Sequence, residues 1–276
     1  MLLQSANKKI RNIINRNLST IIAVLILSFV LTFGILNNKI ASGHYLWKRF
    51  HLERPAMFLA SDASLALEIG NYYFNTYGDG IYDLAKAREY FNLALDLDPN
   101  VQNAWHQLAR IDFLEGDFYN ALKKINKQLE IHGDRLMPAY YVRGLIYGYI
   151  KDFKRAKKDL ITFLKWDPKN WATHNDLSWI YFQMGDYKNT EKISREGLKW
   201  NQDNPWLLNA LGVSLLNINS EKEARATLEK ALENAKKITE KDWHNAYPGN
   251  NPAVARKGIQ EIIKTIEFNL NLAVDN

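Results

Sequence analysis

Residues 137–170 read MPAYYVRGLIYGYIKDFKRAKKDLITFLKWDPKN, and residues 171–204 read WATHNDLSWIYFQMGDYKNTEKISREGLKWNQDN. The two stretches align without a gap, so that Gly144 falls opposite Ser178. Within each stretch, apolar residues recur at helical spacings of three and four on either side of a short polar turn. This pair of stretches predicts a repeated two-helix unit.

The same spacing continues on both sides of this pair. Two series of small residues recur at steps of 34 to 39 residues. A small residue in one helix lets the next helix approach closely, so two linked series indicate stacked helical hairpins rather than one globular core. The first series is Gly70, Ala109, Gly144, Ser178 and Gly212, and the second is Ala87, Ala121, Ala156, Thr190 and Ala224.

Turn signals separate the two helices of a unit. The tripeptides GDF (116–118), KDF (151–153) and GDY (185–187) occupy the same repeat position. We expect the aspartate to cap the second helix and the aromatic residue to begin its buried face. Second helices then close at prolines, as in LDP (97–99) and WDP (166–168).

This pattern resembles the tetratricopeptide repeat, a helical hairpin of about 34 residues. The resemblance implies an all-α, right-handed α-solenoid of about five hairpins over residues 63–238. It also implies a protein that binds a protein or peptide partner in a concave groove lined by the first helix of each repeat. The first unit matches the family at Gly70, Tyr73, Ala87, Phe91, Ala94 and Pro99. The repeats are expected at about 63–101, 102–136, 137–170, 171–204 and 205–238.

The resemblance also identifies candidate residues for binding a partner, all on the inward faces of the first helices. Asparagine amides suit the backbone of an extended peptide, because they both donate and accept hydrogen bonds. Tyrosine and tryptophan supply anchoring area. The alternative is that these side chains pack between repeats, cap helices or face water. The candidates are Asn71, Asn75, Asn103, Arg110, Tyr141, Tyr149, Asn175, Trp179, Phe182 and Asn209, with His106 on the same alignment.

The charge distribution disfavours nucleic acid as a partner. The chain carries a formal charge of +6. Up to residue 60 there are eight bases against one acid, whereas residues 61–276 carry 28 bases and 29 acids. A nucleic-acid binder needs a basic stripe on its folded domain.

Catalysis and cofactor binding find no support in the sequence. The chain has no cysteine, which excludes disulfides, thiol nucleophiles and cysteine-bound zinc. Its six histidines show no metal-ligand spacing on one helix face. Neither a phosphate-binding glycine loop nor a nucleophile elbow is present. We therefore expect neither an enzyme nor a cofactor, a metal site or a small-molecule substrate.

The N-terminal region contains a 19-residue segment without a charge, LSTIIAVLILSFVLTFGIL (18–36). Its length matches a bilayer core of about 30 Å. We interpret it as a transmembrane helix after a basic flank (1–17), with a cleaved signal peptide and a buried helix as alternatives. This interpretation predicts a single-pass membrane protein with its repeats outside the cytoplasm.

Residues 37–62 are expected to form a juxtamembrane linker or helix. There, Tyr45, Trp47 and Phe50 alternate with bases and could contact lipid headgroups. The other interpretation is a short helix packed on the first repeat.

Residues 239–276 are expected to hold a polar linker and a capping helix. Asn251 and Pro252 have the residue types of a helix start. An apolar stripe follows, which covers the open end of a solenoid or, alternatively, docks a partner. The stripe consists of Ile259, Ile262, Ile263, Ile266 and Leu270.

Together these features predict a membrane-anchored scaffold within a bacterial envelope complex. Two other functions remain compatible with the sequence. One is a structural subunit of a membrane assembly that uses its convex face or C-terminal helix, and the other is a regulator of a membrane-associated biosynthetic enzyme.

Overall fold

The computed structural model describes residues 38–75, 81–246 and 249–273. Within these ranges the chain forms 14 α-helices and no β-strand, apart from one isolated bridge between Phe74 and Tyr82. The prediction of an all-α repeat solenoid is confirmed. The chain divides into two compact units between Ala66 and Leu67.

Two of the helices lie in the first unit, a third crosses the division, and the others belong to the second unit. They are α1 (Lys39–Phe50), α2 (Glu53–Ala60), α3 (Ala63–Tyr73), α4 (Leu84–Leu97), α5 (Ala104–Leu114), α6 (Phe118–His132), α7 (Pro138–Tyr149), α8 (Phe153–Trp166), α9 (Trp171–Gln183), α10 (Tyr187–Leu198), α11 (Pro205–Asn217), α12 (Glu221–Ala235), α13 (Glu240–Ala246) and α14 (Ala255–Leu272).

Consecutive helices of the second unit pack as hairpins. The most extensive contacts join α5 to α6, α7 to α8, α9 to α10, and α11 to α12. The second helix of each hairpin then packs on the first helix of the next one. This succession of local contacts is the defining property of a solenoid.

Small residues set the closeness of the two helices in a hairpin. A Cβ added at Gly212 would lie 2.5 Å from Leu228, and one added at Gly144 would lie 2.9 Å from Leu160. The fourth hairpin has Ser178 at this position, and the Ser194 hydroxyl donates to the Ser178 hydroxyl at 3.0 Å. Because both hydroxyls are buried, this bond lets serine stand where glycine or alanine stands elsewhere.

The predicted aspartate caps are confirmed. The side chains of Asp117, Asp152 and Asp186 accept hydrogen bonds from backbone amides three residues later, at 3.1 to 3.2 Å. Each bond satisfies one of the amides that the first turn of a helix leaves without an intrahelical partner.

The first unit contains a helical hairpin that the sequence analysis did not resolve. Helix α1 packs on α2, and a Cβ at Gly43 would lie 2.6 Å from the Ala56 carbonyl oxygen and from Ala60 Cβ. Trp47 is 2% exposed. A side chain this deeply buried does not serve as a headgroup anchor, so this interpretation of Trp47 is wrong.

The predicted membrane location also requires correction. No helix in the described part of the chain has both the length and the apolar character needed to cross a bilayer. Even α14, with 18 residues, carries five charged residues. The prediction of a single-pass membrane protein is therefore wrong on this evidence, and the expectation of repeats outside the cytoplasm loses its basis. The segments 1–17 and 18–36 lie outside the described residues.

The C-terminal region closes the solenoid. Asn251 accepts a hydrogen bond from the Ala253 amide at 3.0 Å and caps a single 3-10 turn that leads into α14. Ile266 of α14 packs with Leu208 and Ala231. The preceding polar stretch is not merely a linker, because it contains α13, whose Trp243 is 6% exposed and lies against Gly258.

Candidate partner-binding groove

The first helices of the hairpins line the inner side of the solenoid. Helix α5 contacts α7, α7 contacts α9, and α9 contacts α11. Elements on the concave side of a curved stack lie closer together than those on the convex side. We call the surface presented by these helices and by α3 the inner groove.

An aromatic row crosses the middle of the inner groove. Phe113 of α5 meets Tyr149 of α7 edge to face, with ring centroids 5.0 Å apart. Tyr149 in turn lies 6.0 Å from Trp179 of α9. Tyr149 is 59% exposed and Trp179 40% exposed, although both are large aromatic side chains. We call Phe113, Tyr149 and Trp179 the aromatic row.

Gly148 gives Trp179 its place in this row. A Cβ at Gly148 would lie 3.0 Å from the Trp179 indole and 2.9 Å from Ile180. Any larger residue would therefore push the indole away from α7. The sequence alone does not predict this role of Gly148, because it depends on the packing of α7 against α9.

Asp176 lies beside the aromatic row. The Tyr141 hydroxyl donates to Asp176 Oδ2 at 2.7 Å. Asp176 is half-buried, so its carboxylate is partly removed from water. This burial raises the pKa of Asp176 to about 6, while hydrogen bonds from Tyr141 and Asn175 oppose the rise. Burial, and then the charge of Asp176, raise the pKa of Tyr149 above its usual value.

Asp176 was not among the predicted residues. Its neighbours Tyr141, Asn175 and Trp179 were predicted. The structure therefore brings three predicted residues together around one that was not predicted. A signal was available in the sequence, since Asp176 is the one acidic residue in α9. The hydroxyl that donates to Asp176 belongs to Tyr141 of the previous repeat, 35 residues away.

The first part of the inner groove has a different character. Gln107 donates to Asn71 Oδ1 at 2.5 Å, and Arg110 donates to Gln107 Oε1 at 2.8 Å. The Arg110 guanidinium also lies 4.7 Å above the ring of Phe74. Burial lowers the pKa of Arg110 to about 10, and Tyr141 opposes this effect. Arg110 is thus part of an internal network.

A segment of the chain itself covers this part of the groove. His244 of α13 contacts Asn75 at 3.5 Å, across 169 residues of sequence. The backbone at Gly249 reaches Arg110 and Phe74, because a Cβ added there would lie 2.8 Å from Arg110 Nη2. We call the described residues around these contacts, 243–246 and 249–251, the return segment.

The far end of the predicted groove is also occupied. Asn269 of α14 donates to Asn209 Oδ1 at 2.9 Å. Three predicted residues therefore touch the C-terminal region of the same chain: Asn75, Arg110 and Asn209.

The remaining predicted residues take individual positions. Phe182 packs against Tyr187 of its own repeat, with ring centroids 5.4 Å apart. Asn103 begins α5 with a left-handed backbone (φ 74°), and its side chain forms no cap. His106 is 8% exposed, and burial lowers its pKa to about 3. It is a neutral core residue, so the prediction that it lies on the groove surface is wrong.

The described residues contain no group of three or more His, Asp or Glu side chains placed to hold a metal ion. In the described residues, the inner groove instead presents aromatic faces, amides, the Asp176 carboxylate and the covered Arg110 guanidinium. These groups are suited to binding a polypeptide.

Comparison with known proteins supports the repeat assignment. Residues 138–170 and 172–204 match the family model for the tetratricopeptide repeat. The Caenorhabditis elegans tetratricopeptide repeat-containing protein trd-1 is 24% identical over 124 residues, which is 45% of this chain and 16% of the relative. This chain thus matches about a sixth of that protein's length.

Solved structures share the fold at low sequence identity. A MamA protein is 19% identical, with a TM-score of 0.53, and the match covers 63% of this chain and 92% of that one. The Pseudomonas aeruginosa pilF protein is 15% identical, with a TM-score of 0.55 and coverage of 75% and 90%. YrrB, described as a TPR protein with an unusual peptide-binding site, is 18% identical, with a TM-score of 0.50 and coverage of 68% and 97%.

Proposed function

We propose that this chain is an interaction scaffold that holds an extended segment of a partner protein in the middle of its inner groove. The observation that carries this proposal is the aromatic row. Three successive repeats contribute Phe113, Tyr149 and Trp179 to one surface, on which Tyr149 and Trp179 are 59% and 40% exposed. Exposed aromatic side chains in a concave surface are typical anchors for a polypeptide.

The predicted residues take different roles in this proposal. Tyr149 and Trp179 supply apolar contact area, and Tyr141 and Asn175 supply polar groups beside it. Phe182 and Asn103 line the margins. Asn71, Asn75, Arg110 and Asn209 already have partners within the chain, so they support the groove rather than bind the ligand.

A second function, that of a structural subunit, has two observations in its favour. Phe268 and Leu272 of α14 are 64% and 45% exposed, on the side of the helix opposite Ile266. A structural subunit that docks through its C-terminal helix would use this surface. Trp166, the last residue of α8, and Trp200, in the turn after α10, are 58% and 53% exposed and favour the convex alternative.

Peptide selection distinguishes these possibilities. Short random peptides displayed on phage are selected on the full chain and then assayed against variants. We expect Trp179→Ala and Tyr149→Ala each to reduce binding by about tenfold or more, because each removes an anchor. The matched controls are Trp200→Ala and Tyr119→Ala, which remove similarly exposed side chains elsewhere.

The controls also define the contrary results. Loss of binding in Trp200→Ala would indicate the convex face, and loss in Phe268→Ala would indicate the terminal helix. If neither Trp179→Ala nor Tyr149→Ala affects any selected peptide, the groove proposal is wrong.

A further inference from the structure

The buried carboxylates of the solenoid differ in their partners. Asp112 pairs with Arg88 at 2.6 Å and also with Lys124. Asp159 pairs with Arg143 at 2.6 Å. Asp176 contacts the hydroxyl of Tyr141, but among the residues that the structure describes no cation lies within ion-pairing distance of it. A carboxylate partly removed from water without a cation is unfavourable.

The surroundings of Asp176 are those of a cation receptor. The carboxylate lies near Tyr149, and Trp179 follows it by three residues on the same face of α9. Aromatic faces attract a cation through their quadrupole, and a carboxylate binds one through charge-assisted hydrogen bonds. The hydrogen bonds that the carboxylate accepts come from neutral groups, Tyr141 and Asn175, so its charge is not compensated.

Arg110, in the first part of the inner groove, does not fill this role. Arg110 is held by Gln107, lies over Phe74 and is covered at Gly249. A negatively charged ligand would meet repulsion at Asp176, and a purely apolar one would bury the carboxylate without compensation. Charge complementarity therefore selects a positively charged group.

We propose that the inner groove recognises a lysine or arginine side chain of the partner, with its charge on Asp176 and its methylene stem along Tyr149 and Trp179. This inference rests on the function proposed above and specifies the chemistry of the ligand. It does not depend on movement of the return segment, because the aromatic row is already exposed.

The test uses the peptides selected on the full chain. We expect the selected sequences to share a lysine or arginine. Replacing that residue with glutamine should weaken binding to the native protein by about tenfold or more. The same replacement should change binding to the Asp176→Asn variant by less than about twofold, because the two changes remove one shared interaction. Asp96→Asn is the matched control, since it removes an exposed carboxylate on α4.

The outcomes separate this inference from the proposed function. If the peptides depend on Trp179 but show no preference for a cation, or if Asp176→Asn leaves the lysine-to-glutamine effect intact, the groove binds peptides and the cation inference is wrong. If no selected peptide depends on Trp179 or Tyr149, both proposals are wrong. If Asp96→Asn has the same effect as Asp176→Asn, the preference reflects general charge, which also contradicts the inference.

Discussion

Two stretches of the same groove, built from equivalent repeat positions, are used in opposite ways. In the first, Arg110 is stacked on Phe74 and covered by the return segment. In the second, Asp176 stands beside Tyr149 and Trp179, which remain exposed. One stretch holds a cation that the chain satisfies internally, and the other holds an anion that it does not pair.

Burial in the inner groove shifts the pKa of both charged groups. Burial removes water from both groups and disfavours their charged forms. It therefore lowers the pKa of Arg110 and raises the pKa of Asp176. The difference lies in what covers them. A repeat surface is thus divided into a structural part and an available part by a segment outside the repeats.

The largest expected effect is a difference in peptide affinity between variants of the two stretches. The double variant Tyr149→Ala with Trp179→Ala should weaken peptide binding by about 100-fold, because it removes two adjacent anchors. Asn71→Ala with Arg110→Met, in the covered stretch, should change it by less than about threefold. Isothermal titration with one selected peptide measures both. Equal losses would show that the covered stretch also binds.

The next prediction concerns the contact of the return segment with Arg110. Gly249→Val should lower the free energy of unfolding by about 2–3 kcal/mol, since valine is strained at φ 89° and its Cβ would collide with Arg110. Gly116→Val is the control, because Gly116 has a similar φ of 80° with open space around it.

Urea denaturation gives the stability of both variants, and hydrogen exchange locates the change. Faster exchange in α13 and at Asn75 in Gly249→Val alone would confirm that the return segment has been released. Equal destabilisation of the two variants, without local exchange, would contradict the contact.

A smaller effect concerns Asp176 and pH. Its pKa in the folded protein is about 6, above the ordinary value of 3.8. The folded state therefore favours the proton, and this stabilisation, present below about pH 4, is lost as the pH rises through 6. The groups that face the carboxylate are Tyr141, Tyr149 and Asn175, and the pKa of Tyr149 is raised above its ordinary value of 10.

Asp176→Asn should consequently raise the free energy of unfolding at neutral pH by about 1–2 kcal/mol. The advantage of the variant over the native protein should shrink between pH 6 and pH 4. Urea denaturation across this range measures the difference. A pH-independent difference would contradict the unpaired carboxylate.

The smallest effect concerns the far end of the groove. Asn209→Ala removes the acceptor for Asn269 and should cost about 0.5–1 kcal/mol, the usual net contribution of a hydrogen bond. Peptide binding should remain unchanged. Weaker binding would extend the available stretch to α11.

The repeats themselves were predictable because their determinants are local and periodic. Gly144 and Gly212 mark helix contacts, and Asp117, Asp152 and Asp186 mark helix starts, each acting within one hairpin. The hairpin of α1 and α2 escaped prediction because its Gly43 falls outside the 34-residue spacing. The membrane interpretation relied on composition alone.

The candidate site was predictable only in part. The sequence alone placed Tyr149 and Trp179 on inner helices, since their position follows from the repeat. It did not reveal that His244 and Gly249 return to Asn75 and Arg110, because these contacts join residues far apart in the chain.

The sequence by itself therefore determined the repeat helices, their aspartate caps and the faces that they bury within a hairpin, because each depends on neighbours within a few turns. The tertiary structure alone decided which part of the inner groove is open and which carboxylate lacks a cation. Those properties depend on the curvature of the stack and on the path of the return segment, which bring distant residues together and which no repeat position encodes.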